Sequence, residues 1–319
     1  MKKFLSLFFV AVLALGTTAC AETAARTTVR VGSLKGPTSM GLVELMHNEG
    51  TQNAYEYTVE ATPDAITPAL IRGELDVALI PANLAAVLYN KTEGALEVVA
   101  INTLGVLYVL ENGDTIHSVA DLKGKTIYST GQGTTPEFAL NYVLSKNGLD
   151  PAADVTVEFK SEAAEVASAM LADAAAVAVL PEPFVTSVIL QNENVRVALS
   201  LSDEWDKAGD GSAMVTGVAV VRKAFAEENP EAVAAFLTEY AASTAYVNEN
   251  PAEASVWIEE LGIVAKAALA EKAIPACNIV LITGDEMKTK LSGYLTALYD
   301  QNPESVGGTL PGEDFYCAD

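Results

Sequence analysis

The sequence has few of the side chains from which metal and nucleophilic sites are most often built. It contains two histidines, His47 and His117, and three cysteines, which form no C-x-x-C pair. Neither histidine lies at a metal-like spacing from other ligands, and the nucleophile motif G-x-S-x-G does not occur. We therefore expect no catalytic residues, no metal and no cofactor, and we predict that the chain is not an enzyme.

Positive charge is also scarce. Lysine and arginine total 19 against 42 aspartates and glutamates, which gives a formal net charge of −23. A surface of this sign repels nucleic-acid phosphates and anionic lipid headgroups. The charge balance therefore argues against a nucleic-acid partner and favours a self-repelling particle, which we expect to act as a monomer.

Outside the N-terminus, no segment approaches the roughly 20 apolar residues that a membrane-spanning helix needs. The N-terminus itself has a basic start and an apolar stretch, Phe4 to Leu15, of signal-peptide length. Small residues then lead to Ala19 and Cys20, a junction that resembles the bacterial lipobox. We predict a signal peptide at 1–19, a lipid on Cys20, and an anchor and tether at 20–27.

These features predict an exported protein held by its lipid on the outer face of the cell membrane. Plain secretion or release into the periplasm, with cleavage near Ala21, remains the alternative. With Cys20 lipidated, Cys277 and Cys317 are left as a pair in an oxidising compartment, which is consistent with a disulfide. The alternative is a buried thiol at Cys277 and an exposed one at Cys317.

The remaining chain alternates strand-like and helix-like segments, which predicts an α/β fold. Two parts of it repeat one pattern. Residues 75–81 and 174–181 are both apolar runs that end at a proline and precede a short helix, and the glycine-containing loops at 36–40 and 131–136 form a second such pair. A duplicated α/β unit with ligand loops at its strand ends is the expected construction of a two-lobed binding cleft. From Lys223 onward the pattern is predominantly helical.

Four segments carry a family resemblance: VGSLKGPT at 31–38, DVALIP at 76–81, DLKGK at 121–125 and LPEP at 180–183. They resemble solute-binding proteins of the nitrate/sulfonate/taurine (NitT/TauT) family of ABC transporters. The resemblance implies the type II periplasmic-binding-protein fold, an α/β fold of two lobes, each a mixed and mostly parallel sheet flanked by helices. It also implies that lobe 1 comprises 28–110 plus 215–319, that lobe 2 comprises 111–214, and that an ABC permease and ATPase are the partners.

Two loops that precede helices are the main candidates for ligand contact, because the backbone N–H groups of a helix N-terminus attract anionic and polar groups. Simple helix capping is the alternative role for both. The candidates are Gly36, Pro37, Thr38, Ser39 and Met40 in one half, and Gly131, Gly133, Thr134 and Thr135 in the other.

Four further residues are candidates for single ligand contacts. Asn83 could bond a ligand through its amide, or cap the helix that follows it. Glu182 stands between two prolines and could pair with a ligand amine or ring N–H, or it could complement a helix dipole. Asn102 and Thr216 lie near the expected hinge and are weaker candidates.

No arginine falls in a candidate ligand loop, whereas oxyanions are often held by charge-assisted bonds. We therefore predict a binding lipoprotein that delivers a small organic nutrient, heteroaromatic or amine-bearing, to an ABC importer. A small oxyanion such as a sulfonate or nitrate is the alternative ligand. An enzyme of the same fold, like those of pyrimidine or menaquinone biosynthesis, is the alternative of another class.

Overall fold

The computed structural model describes residues 26–173 and 175–317. The predicted signal peptide, Cys20 and most of the tether lie outside these residues. The strands are β1 (Thr28–Leu34), β2 (Ala54–Glu60), β3 (Val77–Pro81), β4 (Leu96–Leu104), β5 (Leu107–Asn112), β6 (Thr126–Ser129), β7 (Thr156–Phe159), β8 (Val177–Pro181), β9 (Val195–Ser200), β10 (Val215–Arg222) and β11 (Ile279–Ile282).

Helices cover both sheets and make up most of the C-terminal part. They are α1 (Pro37–Met40), α2 (Val43–His47), α3 (Pro63–Ile71), α4 (Ala82–Lys91), α5 (Thr135–Lys146), α6 (Ala163–Ala172), α7 (Phe184–Gln191), α8 (Leu201–Asp206), α9 (Lys223–Glu228), α10 (Pro230–Glu249), α11 (Pro251–Glu260), α12 (Ala267–Ala273) and α13 (Gly284–Gln301). Short 3-10 turns lie at Val119–Leu122, Ile274–Ala276, Pro303–Val306 and Glu313–Phe315. Within the described ranges, no helix is long and apolar enough to cross a membrane.

Two mixed sheets form the framework, and they share one topology. The first has the order β11-β4-β10-β3-β1-β2 and the second the order β9-β5-β8-β6-β7. In each sheet a central strand, β3 or β8, pairs in parallel with one neighbour and antiparallel with the other. Apart from β11, the strands of one sheet therefore match those of the other position by position, which confirms the predicted α/β fold and its internal repetition.

The repeated strand–proline–helix segments form the centre of each sheet. Four successive residues of β3 are buried, as are four of β8, because helices cover both faces of the sheet. Each strand ends at a proline, and that proline pairs with an early residue of the antiparallel neighbour: Pro81 with Gly217 and Pro181 with Leu107. Proline lacks the N–H that further ladder pairing needs, which suits it to a strand end.

The chain passes from the first sheet to the second at Gly105 and Val106, between β4 and β5, and returns between α8 and β10. The two crossings pack against each other. A Cβ atom on Gly105 would lie 2.0 Å from the Cε of Met214 and 2.2 Å from the Oγ of Ser202. A side chain at residue 105 would therefore force Met214 and Ser202 to move, so the contact suits glycine. The lobe boundaries predicted at 110 and 215 stay predictions.

A third connection between the halves is made by side chains. Trp205 is fully buried and stacks on Tyr142 of α5, with ring centroids 3.7 Å apart. Its other neighbour is Tyr294 of α13, at 5.5 Å. Helix α13 follows β11 of the first sheet, whereas α5 follows β6 of the second, so this aromatic cluster joins the two halves.

Candidate functional site

A cavity of about 440 Å³ lies between residues that follow β1 of the first sheet and residues that follow β8 of the second. Three parts of the chain line it. They are the β1–α1 loop with Lys35, Gly36 and Pro37, the start of α7 with Glu182, Pro183, Phe184 and Ser187, and the α11–α12 junction with Ile263, Val264, Ala265 and Leu269. The cavity is of the size that small-molecule sites usually have.

The β1–α1 loop turns sharply after the strand. Gly36 has a φ of 97°, a left-handed conformation that suits glycine. The following residues point inward: Ser39 is fully buried and its hydroxyl hydrogen-bonds the Oγ of Ser33 and the carbonyl of Leu34, both at 2.6 Å. Met40 packs in a buried apolar cluster with Val43 and Ile279. Only Gly36 and Pro37 of the five predicted loop residues therefore line the cavity.

Glu182 is the charged group most enclosed by this cavity, with 4% of its surface exposed. Its carboxylate accepts hydrogen bonds from the backbone N–H and the hydroxyl of Thr186, at 3.2 and 3.0 Å. Burial raises the pKa of Glu182, and these two bonds oppose the rise only in part. Across the described ranges no lysine, arginine or histidine forms an ion pair with it, so the carboxylate is desolvated without a compensating cation.

The charge of Glu182 acts on two nearby groups, Tyr108 and Cys277, which do not themselves line the cavity. Burial, with a contribution from Glu182, raises the pKa of Tyr108 to about 12. The same two causes, burial first, raise the pKa of the Cys277 thiol. The Tyr108 hydroxyl donates to the carbonyl of Ala276 at 2.6 Å, a bond between β5 of the second sheet and the turn before β11 of the first. This bond ties the second sheet to the first near Glu182.

Neither Asn102 nor Thr216 lines the cavity. The Nδ2 of Asn102 donates to the carbonyl of Thr38 at 3.0 Å and to the hydroxyl of Tyr240 at 3.1 Å. Its Oδ1 has no partner among the described residues, and a Cβ on Gly217 would lie 2.5 Å from it. Asn102 thus links Thr38, at the start of α1, to Tyr240 of helix α10. It holds the β1–α1 loop in place and does not itself contact the cavity.

The second predicted loop is closed on itself. Gly131 and Gly133 have φ values of 73° and 71°, and the hydroxyl of Thr134 donates to the carbonyl of Gly131 at 2.7 Å. The N–H of Gly133 donates to Glu137 at 2.5 Å. Neither these residues nor Thr135 line the cavity, so ligand contact by this loop stays a prediction.

Asn83 also lies outside the cavity. Its Nδ2 donates to the carbonyl of Ser305 at 3.2 Å, which ties the start of α4 to the C-terminal 3-10 turn. The structure therefore gathers Gly36, Pro37 and Glu182 from the predicted set. Among the residues that the sequence did not indicate, Lys35 and Phe184 adjoin predicted ones, whereas the α11–α12 junction is distant in sequence and had no signal of its own.

The two described cysteines are not joined by a disulfide, which corrects that expectation. Asn278, next to Cys277, accepts a hydrogen bond from the N–H of Leu104, and the N–H of Cys317 donates to the carbonyl of Val98. Val98 and Leu104 are at opposite ends of β4, about 20 Å apart along an extended strand. A disulfide needs Cα atoms within about 7 Å. Cys277 is a buried thiol, as the alternative prediction had it.

Within the described ranges, no group of three or more histidine, cysteine, aspartate or glutamate residues is arranged to hold a metal ion. Two halves of one topology with a cavity between them are the architecture of two-lobed solute-binding proteins.

Comparisons with known proteins agree with this class. The structure is similar to an ABC transporter from Parabacteroides distasonis, with a TM-score of 0.78 and 28% identity over 91% of this chain and 99% of that chain. It is also similar to the periplasmic aliphatic sulphonate binding protein SsuA from Escherichia coli, with a TM-score of 0.70, 16% identity, and coverage of 91% and 95%. For the alkanesulfonate-binding protein SsuA from Xanthomonas axonopodis pv. citri, the TM-score is 0.61 at 16% identity, with coverage of 91% and 96%.

A family model described as NMT1/THI5 like matches residues 94–254, half of the chain, and the chain belongs to this family. A comparison with curated proteins finds no match. The predicted resemblance to ABC-transporter binding proteins and the predicted fold class are confirmed. These neighbours are described as an ABC transporter and as two sulfonate-binding proteins, in agreement with the prediction that the chain is not an enzyme.

Proposed function

We propose that the chain is an exported solute-binding lipoprotein that delivers a small amine-bearing organic nutrient to an ABC permease and ATPase. The observation that carries the ligand class is Glu182, a carboxylate 4% exposed in an apolar cavity with no cationic partner among the described residues. A buried charge without a partner is costly, and a cationic ligand nitrogen would compensate it. Pro37 and Phe184 would pack against the apolar part of the ligand, including a heteroaromatic ring.

A sulfonate or nitrate is the second candidate, and the sulfonate-binding neighbours favour it. The electrostatics of the cavity oppose it, because an oxyanion there would face the negative charge of Glu182 in a medium of low dielectric constant. The helix that begins beside the cavity, α1, has only four residues. Its dipole would offset little of that repulsion.

The direct test is native mass spectrometry of the chain from Glu22 onward, purified without denaturation, followed by identification of any small molecule it releases. We expect a stoichiometric organic amine. If the protein is empty, a thermal-shift screen of amines, pyrimidines, vitamins, sulfonates and oxyanions replaces it, since a bound ligand raises the unfolding temperature. Release of a sulfonate or nitrate would replace the proposed ligand class by the alternative.

The lipid anchor rests on the signal-like N-terminus and on Cys20, which follows Ala19. We expect Cys20→Ser to move the expressed protein from the membrane fraction to the soluble extracytoplasmic fraction, because the acyl chains would be lost. Cys317→Ser, which leaves Cys20 intact, is the matched control and should stay in the membrane fraction. Equal partitioning of the two variants would favour plain secretion.

A further inference from the structure

Lys35 is a second charged residue of the cavity that no prediction had singled out. It follows β1 directly, and its backbone N–H donates to the carbonyl of Glu60 at 2.9 Å, which fixes the main chain. Its side chain is exposed and reaches the α11–α12 junction: the Nζ lies 3.7 Å from the position of a Cβ on Gly262. The ammonium group therefore stands at the rim of the cavity, beside Ile263.

Lys35 and Glu182 are opposite charges that line one cavity, one on each side of the gap between the sheets. Among the described residues neither forms an ion pair, with the other or with any third group. Most of the other residues that line the cavity are apolar, among them Pro37, Phe184 and Leu269. A plain amine would satisfy only the buried carboxylate, and a plain anion would satisfy only the rim ammonium. A molecule with both charges would satisfy the whole arrangement.

We infer that the ligand is a small dipolar molecule, with a cationic nitrogen at Glu182 and an anionic group, such as a carboxylate, at Lys35. This inference rests on the proposed function. It adds that the ligand has a second, anionic end and that Lys35 selects ligands with that end. The cavity of about 440 Å³ leaves room for a short apolar spacer between the two charges. Lys35 is a specificity residue in this arrangement, because it separates dipolar ligands from simple amines.

The test uses a series of straight-chain ω-amino acids, from β-alanine to aminooctanoate, each with the alkylamine and the alkanoate of equal chain length. Affinities are measured by calorimetry for the natural chain from Glu22 onward and for Lys35→Gln, Glu182→Gln and the control Lys91→Gln. Lys91 is also exposed and lacks an ion pair among the described residues, but it lies at the far end of α4. We expect one chain length of the ω-amino acid to bind about threefold to fivefold tighter than its alkylamine.

Lys35→Gln should lower the affinity for that ω-amino acid by about threefold to fivefold, as expected for an exposed charge pair. It should leave the affinity for the alkylamine unchanged. Glu182→Gln should weaken both, and Lys91→Gln neither. If the alkylamine binds as tightly as the amino acid, and Lys35→Gln affects them equally, the dipolar ligand is wrong while the amine-binding function stands. If no member of the series binds and the released natural molecule carries a single charge, the inference is overturned. A released simple anion would overturn the proposed ligand class as well.

Discussion

Asp76→Asn is expected to lower the free energy of unfolding by about 3 kcal/mol, the largest loss of stability that we predict. Asp76 is 1% exposed and accepts hydrogen bonds from the backbone N–H, Nε and Nη2 of Arg30, at 3.0, 2.8 and 2.6 Å. It also accepts one from the Nη2 of Arg222 at 2.7 Å. The carboxylate, which directly precedes β3, thus joins the start of that strand to Arg30 in β1 and to Arg222 at the end of β10.

Asparagine has nearly the same shape but no charge, and its NH₂ group would face two guanidinium groups. Breaking a buried ion pair by removing one partner typically costs about 3–5 kcal/mol. We expect the lower end, because the side chains of Arg30 and Arg222 are 36% and 23% exposed, so water screens their charges. Chemical denaturation with fluorescence detection measures the change, and Trp205 provides a buried probe.

Glu74→Gln is the matched control. Glu74 lies two residues before Asp76 and also pairs with an arginine, Arg72, but both side chains are 58% exposed. Exposed pairs of this kind contribute little, so the control should unfold like the natural chain. Equal losses in the two variants would show that the buried position of Asp76 has no special effect.

The buried carboxylate of Asp76 also makes the stability of the fold depend on pH. Burial alone would raise the pKa of Asp76, but the hydrogen bonds from Arg30 and Arg222 outweigh burial and lower it. A carboxyl whose pKa is lower in the folded state stabilises the fold above its unfolded pKa of about 3.9. That stabilisation is lost as the pH falls through the folded value, and Asp76→Asn should lack this part of the acid transition.

The central strands of this fold were predictable because their pattern is local. Four consecutive apolar residues, a proline and a short helix recur at 77–81 and 177–181, and burial on both faces explains why these strands lack polar alternation. The edge strand β11 was missed. Its sequence, IVLI, is strand-like, but it lies within a long helical region, and its antiparallel pairing with β4 joins residues far apart in the chain.

The candidate site was predictable in part for the same reason. Loops at the ends of β1 and β8 follow from the rule that ligands bind at the carboxyl ends of parallel strands. The sequence could not indicate which of the predicted residues point into the core. Ser39 and Met40 are fully buried, and Asn102 donates a hydrogen bond to the hydroxyl of Tyr240. The α11–α12 junction lines the cavity because of the way in which α11 and α12 pack. No pattern in the sequence predicts that packing.

Glu182→Gln should weaken binding of the cationic ligand at least about 30-fold, because it removes the charged partner in a desolvated site. The fold should persist, since the amide oxygen of glutamine can still accept the N–H of Thr186. The matched control is Glu97→Gln. Glu97 is another partly buried carboxyl whose pKa is raised mainly by burial. It lies near the start of β4 and does not line the cavity. Calorimetry with the released ligand, or with the best amine of the screen, gives both affinities.

The pH dependence identifies the group that binds. Because burial raises the pKa of Glu182, the empty protein loses stability as the pH rises from the usual glutamate value through the raised one. A cation binds only the ionised carboxylate, so its affinity should increase over that same interval and then level off. Binding should release protons within the interval, and Glu182→Gln should show neither effect. An affinity that instead increases toward acidic pH would indicate that the cavity takes an anion beside a protonated Glu182, and would reverse the proposed ligand class.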